Sequence, residues 1–207
     1  MIRPPERLPD RDAAIDAMLP NVPFEGWTTR ALRSGLAAAG MPEDEATILF
    51  PLGAADMVAV FCDLADRRMT EAAAALIETQ DKMGLTARVR AVIALRLAMN
   101  RPHKEAIRRA LALLALPGNA REAAAITART VDAIWHAAGD RSTDFSWYTK
   151  RVILTAIYGA ALLFWLHDTS DDDADTRAFI DRRLYDVGRL GRAGGRARSM
   201  LGRLRPA

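Results

Sequence analysis

Between Gly139 and Leu166 the chain reads GDRSTDFSWYTKRVILTAIYGAALLFWL, and from Val152 to Leu166 fifteen consecutive residues carry no charge. A helix that is apolar on every face asks to be enclosed by other segments, so this stretch predicts the central post of a bundle. A membrane span needs about 20 such residues. This run is bounded by Lys150 and Arg151 on one side and by His167 and Asp168 on the other, which favours burial in protein. Gly139 suits a left-handed helix stop, and Ser142, Thr143 or Asp144 can cap the next helix, which is predicted to begin near Asp144.

The rest of the chain supplies the enclosure. Alanine and leucine dominate, apolar residues recur at three and four, and β-branched alternation is nearly absent, so the reading is all-α. A first helix is predicted over about Asp12 to Leu19, ended by Pro20, and a second after Gly26 with Trp27, Ala31, Leu32 and Leu36 inward and Gly40 as its stop. A short third helix follows Pro42 and runs to Pro51. Two helices joined through a glycine turn outline a helix-turn-helix. Its second helix, however, opens with Glu43, Asp44 and Glu45, which phosphates would repel, so the arrangement is degenerate as a DNA reader.

A long helix is predicted over Gly53 to about Gln80, with Met57, Val60, Phe61, Leu64, Leu76 and Met83 inward. Further stripes run from Leu85 to Leu97, from Ala106 to Leu114, and through Ile126, Val131, Ile134 and Trp135. Beyond the post, DTSDDDADT reads as an acidic loop before a helix from about Ala174 to Val187. The division expected is 1–52 for the degenerate helix-turn-helix region, 53–187 for the bundle and 188–207 for a basic tail.

Charge separates that tail from the body. The formal net charge is +3, yet six arginines and no acid follow Asp186, which leaves −3 on the remainder. Such a body suits polyphosphate poorly, because that affinity comes from neutralising charge with Lys and Arg. Leu190, Ala197, Leu201 and Leu204 can share one face of the tail, with Arg192 and Arg196 elsewhere. Four glycines, each costing about 1 kcal/mol against Ala, predict disorder in water and helix only against a surface.

Chemistry is sparse. Cys62 is the sole cysteine, which excludes an internal disulfide and fits a reducing compartment. The opening MIRPPERLPDRD has no apolar run and predicts no secretory signal, hence a cytoplasmic protein. His103, His136 and His167 show no metal-ligand spacing, and Asp132 and His136, one helical turn apart, lack a nucleophile, so no metal, cofactor or catalytic residue is assigned.

VPFEGWTTRAL, ILFPLGAADMVAVF, GDRSTDFSWYTKR and DTRAFIDRRL, taken together, resemble the ubiquinone-biosynthesis accessory proteins of the ninth Coq protein family, over about Ala13 to Val187. The resemblance implies a TetR-like fold without DNA binding and a homodimer that holds lipid or an isoprenoid quinone intermediate. It implies a non-enzymatic role assisting the demethoxyubiquinone hydroxylase. That partner's docking patch corresponds to Asp144, Trp147 and Tyr148, with Ile134 nearby. A C-terminal amphipathic helix in the family contacts membranes, which assigns Arg192, Arg196, Leu201 and Leu204 to a membrane surface and the protein to the periphery of its inner face. The glycine- and arginine-rich tail here departs from that pattern. Expected lipid contacts are Met57, Phe61, Leu95, Trp135, Ile157, Tyr158, Phe164 and Trp165, whose competing role is ordinary core packing. The alternative function is a TetR-type ligand-responsive regulator.

Overall fold

The computed structural model describes residues 3–78, 83–140 and 146–203, without side-chain detail at 146–147 and 190–203. Among the described residues there are ten α-helices and no strand. They are α1 (Pro9–Met18), α2 (Val22–Glu25), α3 (Thr29–Ala38), α4 (Glu45–Leu49), α5 (Ala54–Glu78), α6 (Leu85–Met99), α7 (Lys104–Leu114), α8 (Ala120–Ala137), α9 (Ser146–His167) and α10 (Ala174–Arg203). The chain divides into two compact units, Met1–Arg141 and Ser142–Ala207.

In the first unit, α1 starts three residues before the expected Asp12. Pro9 occupies its first turn, where a missing N–H costs nothing, and Asp10 and Asp12 complement the helix dipole. Thr28 caps α3 by accepting a hydrogen bond from the Ala31 N–H at 3.1 Å. Beyond it Gly40 adopts φ +71° in the stop assigned from sequence. Trp27, Ala31, Leu32 and Leu36 are all buried, and the Trp27 indole donates to the Ala106 carbonyl at 2.9 Å, tying the front of the unit to α7.

No core boundary falls at 52/53. Met57, Val60, Phe61 and Leu64 of α5 share one buried cluster with Ile15, Met18, Leu32 and Phe50. The Phe61 ring lies 5.3 Å from Trp27. The apolar face of a 25-residue helix thus serves both the front and the bundle. Along its polar side, Arg7 and Arg67 converge on Asp63 at 2.8 Å and 2.9 Å, and Arg67 also grips Asp12. Farther in, Asp66 accepts from Thr130 of α8 at 2.9 Å and pairs with Arg96 of α6 at 2.9 Å.

The second unit corrects the image of a fully enclosed post. Leu154, Ile157, Tyr158, Ala161 and Trp165 form a buried stripe, whereas Val152 is 71% and Leu163 58% exposed. Lack of charge made α9 apolar all round without making it buried all round. Its uncharged run rises about 22 Å at 1.5 Å per residue, short of a hydrocarbon core of about 30 Å. Even so, Tyr148–His167, which includes Lys150 and Arg151, has a mean hydropathy of 1.3 and is long and apolar enough by composition to cross a membrane.

At the α9–α10 turn, Asp168 organises the chain. Its carboxylate accepts from the Ser170 N–H at 2.8 Å and the Thr176 N–H at 2.8 Å, and from both hydroxyls. Desolvation opposes the charged form, but these hydrogen bonds outweigh it and hold Asp168 well below the usual carboxylate range. The Phe164 ring stacks on Phe179 of α10 at 4.7 Å. The α10 backbone is helical to Arg203. Arginine, alanine, leucine and methionine between the glycines are strong helix formers, and no proline intervenes before Pro206.

Candidate functional site

Three places carry candidate functional residues. The first is the start of α9. Tyr148 is 70% exposed there, an aromatic side chain presented to solvent at the first turn of an apolar helix. Asp144 and the side chain of Trp147 lie outside the described residues. Ile134 does not join an exposed patch: it is fully buried, on the α8 stripe of Ile126, Thr130, Val131 and Ile134. α8 turns this stripe inward as it packs on α5.

The second is the set of expected lipid contacts. Met57 and Phe61 fill the front core. Leu95 and Trp135 are half-buried on the neighbouring helices α6 and α8. In the other unit, Ile157, Tyr158 and Trp165 are buried along one side of α9, while Phe164 is 38% exposed against Phe179. A small cavity of 50 Å³ touches Phe61, Leu64, Met99 and His103. That is room for a water or two, not for a prenyl chain.

The third was missed from sequence. A cleft of 710 Å³ runs over one polar stripe of α5, at Asp63, Asp66, Arg67, Thr70 and Glu71, and one of α8, at Arg129, Asp132, Ala133 and His136, with Pro4 and Arg7 at its edge. Asp132 and His136, read as a surface pair, sit on its wall. The available signal was the four-residue spacing of an acid before a base, Asp63–Arg67 on α5 and Asp132–His136 on α8. Desolvation works against the Asp63 carboxylate, but hydrogen bonds from Arg7 and Arg67 overcome it and hold its pKa below the ordinary value. For Asp66 burial wins, and its pKa is raised despite Arg96 and Thr130. Among the described residues no group of three or more His, Cys, Asp or Glu is arranged to hold a metal ion.

Two titratable groups give simple tests of this packing. Burial lowers the pKa of His103, which lies edge-on to Phe61 at 6.4 Å. A histidine depressed on folding contributes stability above its unfolded pKa near 6.5 and loses it as pH falls through the folded value. Thermal denaturation is therefore expected to show a lower Tm at pH 5.5 than at pH 7.5, with the difference reduced in His103→Gln; an unchanged difference would remove His103 as its source. Burial pushes the Cys62 thiol up to about 12. Alkylation by iodoacetamide at neutral pH is expected to be negligible in the native protein and complete in urea. Rapid native labelling would contradict that burial.

Comparison with known proteins gives the fold class first. The structure of a TetR transcriptional regulator from Nitrosomonas europaea superposes with a TM-score of 0.67, covering 86% of this chain and 97% of that one at 22% identity. The molecule is thus an all-α protein of TetR-like fold. Residues 120–191 match the COQ9 family model. "Ubiquinone biosynthesis protein COQ9, mitochondrial" of Xenopus tropicalis is 35% identical over 193 residues, spanning 86% of this chain and 57% of that protein. Its Homo sapiens counterpart is 32% identical over 186 residues, with the same shares, and a probable coq9 of Dictyostelium discoideum is 35% identical over 167, spanning 78% and 54%. The chain is thus similar to COQ9 proteins over most of its own length and spans a little over half the length of these relatives.

Proposed function

We propose that the chain acts in ubiquinone biosynthesis as a non-enzymatic accessory protein. It binds an isoprenoid quinone intermediate and presents it to the demethoxyubiquinone hydroxylase. The observation that carries this reading is the 35% identity to a ubiquinone biosynthesis protein COQ9 across 86% of the chain. Two physical features support it. The front end of the TetR-like fold exposes carboxylates at Glu43 and Asp44, unsuited to phosphate, which weighs against a transcription regulator. The bundle helices supply Leu95, Trp135, Ile157, Tyr158, Phe164 and Trp165 as apolar side chains for a prenyl tail, whose burial is worth about 0.8 kcal/mol per methylene.

In this reading Asp144, Trp147 and Tyr148 form the hydroxylase-docking patch. Exposed Tyr148 next to Trp147 has the composition of an interface hot spot. The farther part of α9 joins two copies: Val152 and Leu163 are exposed on a side that also carries Ala156 and Ala160, small residues that admit a close neighbour. The tail, with Arg192 and Arg196 beside Leu201 and Leu204, attaches the homodimer peripherally to the anionic cytoplasmic face of a membrane, each arginine contributing about 1 kcal/mol.

Capture of the hydroxylase by immobilised protein tests the docking patch. Tyr148→Ala is expected to weaken capture at least about tenfold, a loss of about 1.4 kcal/mol, while its circular dichroism stays that of the parent. Undiminished capture by both Tyr148→Ala and Trp147→Ala would remove the patch.

A further inference from the structure

The short helix α4 and the turn after it, in the region whose sequence outlines a degenerate helix-turn-helix, expose two large apolar side chains, Ile48 at 75% and Leu52 at 81%. Their orientation is fixed from below. Ala46 and Phe50, two residues from each, are buried in the front core, and the Arg11 guanidinium lies 4.6 Å over the Phe50 ring. Gly53, at φ +76°, closes the turn by donating to the Phe50 carbonyl at 3.1 Å. Ile48 and Leu52 therefore have no route inward. Beside them stand Glu43 and Asp44, both exposed, and half-buried Glu45. Among the described residues no ion pair reaches Glu43 or Asp44. On α3 the exposed Arg30 faces Glu25 at 3.6 Å, and from Met41 to Gly53 the charged side chains, Glu43, Asp44 and Glu45, are all acidic.

A pair of apolar side chains rimmed by carboxylates selects its occupant by charge. Phosphodiesters are repelled, and a second copy of the same face would set carboxylates against carboxylates. We propose that this front face docks a cationic amphipathic helix of a partner protein, with Ile48 and Leu52 receiving its apolar side chains and Glu43, Asp44 and Glu45 pairing with its lysines or arginines. This face is formed by α4 and the turns before and after it alone, so its occupancy does not depend on the hydroxylase reading.

Fluorescence anisotropy of a labelled helix-forming peptide, with leucines at i, i+3, i+4 and i+7 and lysines elsewhere, tests this against the full chain. Saturable binding is expected, weakened at least about tenfold by Ile48→Ser/Leu52→Ser. In Glu43→Lys/Asp44→Lys it is expected to be weaker and less sensitive to salt. The same peptide with glutamate in place of lysine is expected not to bind. Both double variants change exposed side chains, so circular dichroism of each should match the parent. Absence of binding, equal affinity for parent and both variants, or retention of duplex DNA by the parent and its loss in the variants would overturn the proposal.

Discussion

Replacing Arg96 with methionine is expected to cost the fold about 3–5 kcal/mol, the loss typical when one partner of a buried ion pair is removed. Arg96 and Asp66 are each about nine-tenths enclosed and meet at 2.9 Å, with Thr130 donating to the other Asp66 oxygen. The methionine variant keeps the apolar stem and strands the carboxylate. Since burial already raises the Asp66 pKa, the variant should relieve the penalty by binding a proton. A carboxyl raised on folding makes stability fall as pH rises through its folded pKa, so Arg96→Met should lose more at pH 8 than at pH 5. For a chain of this size the drop in Tm is roughly 6–20 °C. Combining Arg96→Met with Asp66→Leu is expected to recover at least half the loss, because no uncompensated charge remains. Additive losses in calorimetry would show that the pair does not act as a unit.

Gly35→Ala is expected to be nearly as damaging, for a steric reason. A Cβ at residue 35 would lie 2.5 Å from the Ala17 carbonyl oxygen and 2.7 Å from the Met18 Cα. Both are backbone atoms of the α1 terminus, so no side chain can swing aside and α1 must move off α3. Overpacking of this kind costs about 1–3 kcal/mol. Here the displacement also opens the cluster of Ile15, Met18, Leu32 and Leu36, all fully buried. Chemical denaturation of Gly35→Ala should show a lower midpoint with an unchanged slope, while Gly40→Ala, whose Cβ would meet nothing within 4 Å, reports the separate cost of its φ of +71°. Equal stability of Gly35→Ala and the parent would mean that α1 and α3 are not in this contact.

The sequence disclosed helices better than surfaces. Gly26, Gly40 and Gly139 punctuated the chain where the structure has positive φ, and Trp27, Leu32, Leu36, Met57 and Phe61 announced the front core by their spacing. Periodicity says which residues are apolar, not how many neighbours surround them. For that reason the stretch holding Val152 and Leu163 reads as enclosed although both are largely exposed, whereas Ile134 is buried as the inward stripe of α8 predicts. The cleft was illegible for a related reason. Its walls come from α5 and α8, more than fifty residues apart, and its rim from Pro4 and Arg7. Helical spacing reports pairs such as Asp63 and Arg67, whereas Arg7 with Asp63 and Asp66 with Arg96 depend on the tertiary fold.

Lipid content of the purified protein tests the central claim most directly. Native mass spectrometry of the full chain, followed by solvent extraction and identification of whatever is released, is expected to show an isoprenoid quinone or its precursor at near one per protomer, exchangeable for added quinone. Protein that is empty as isolated and takes up no added quinone would contradict the account.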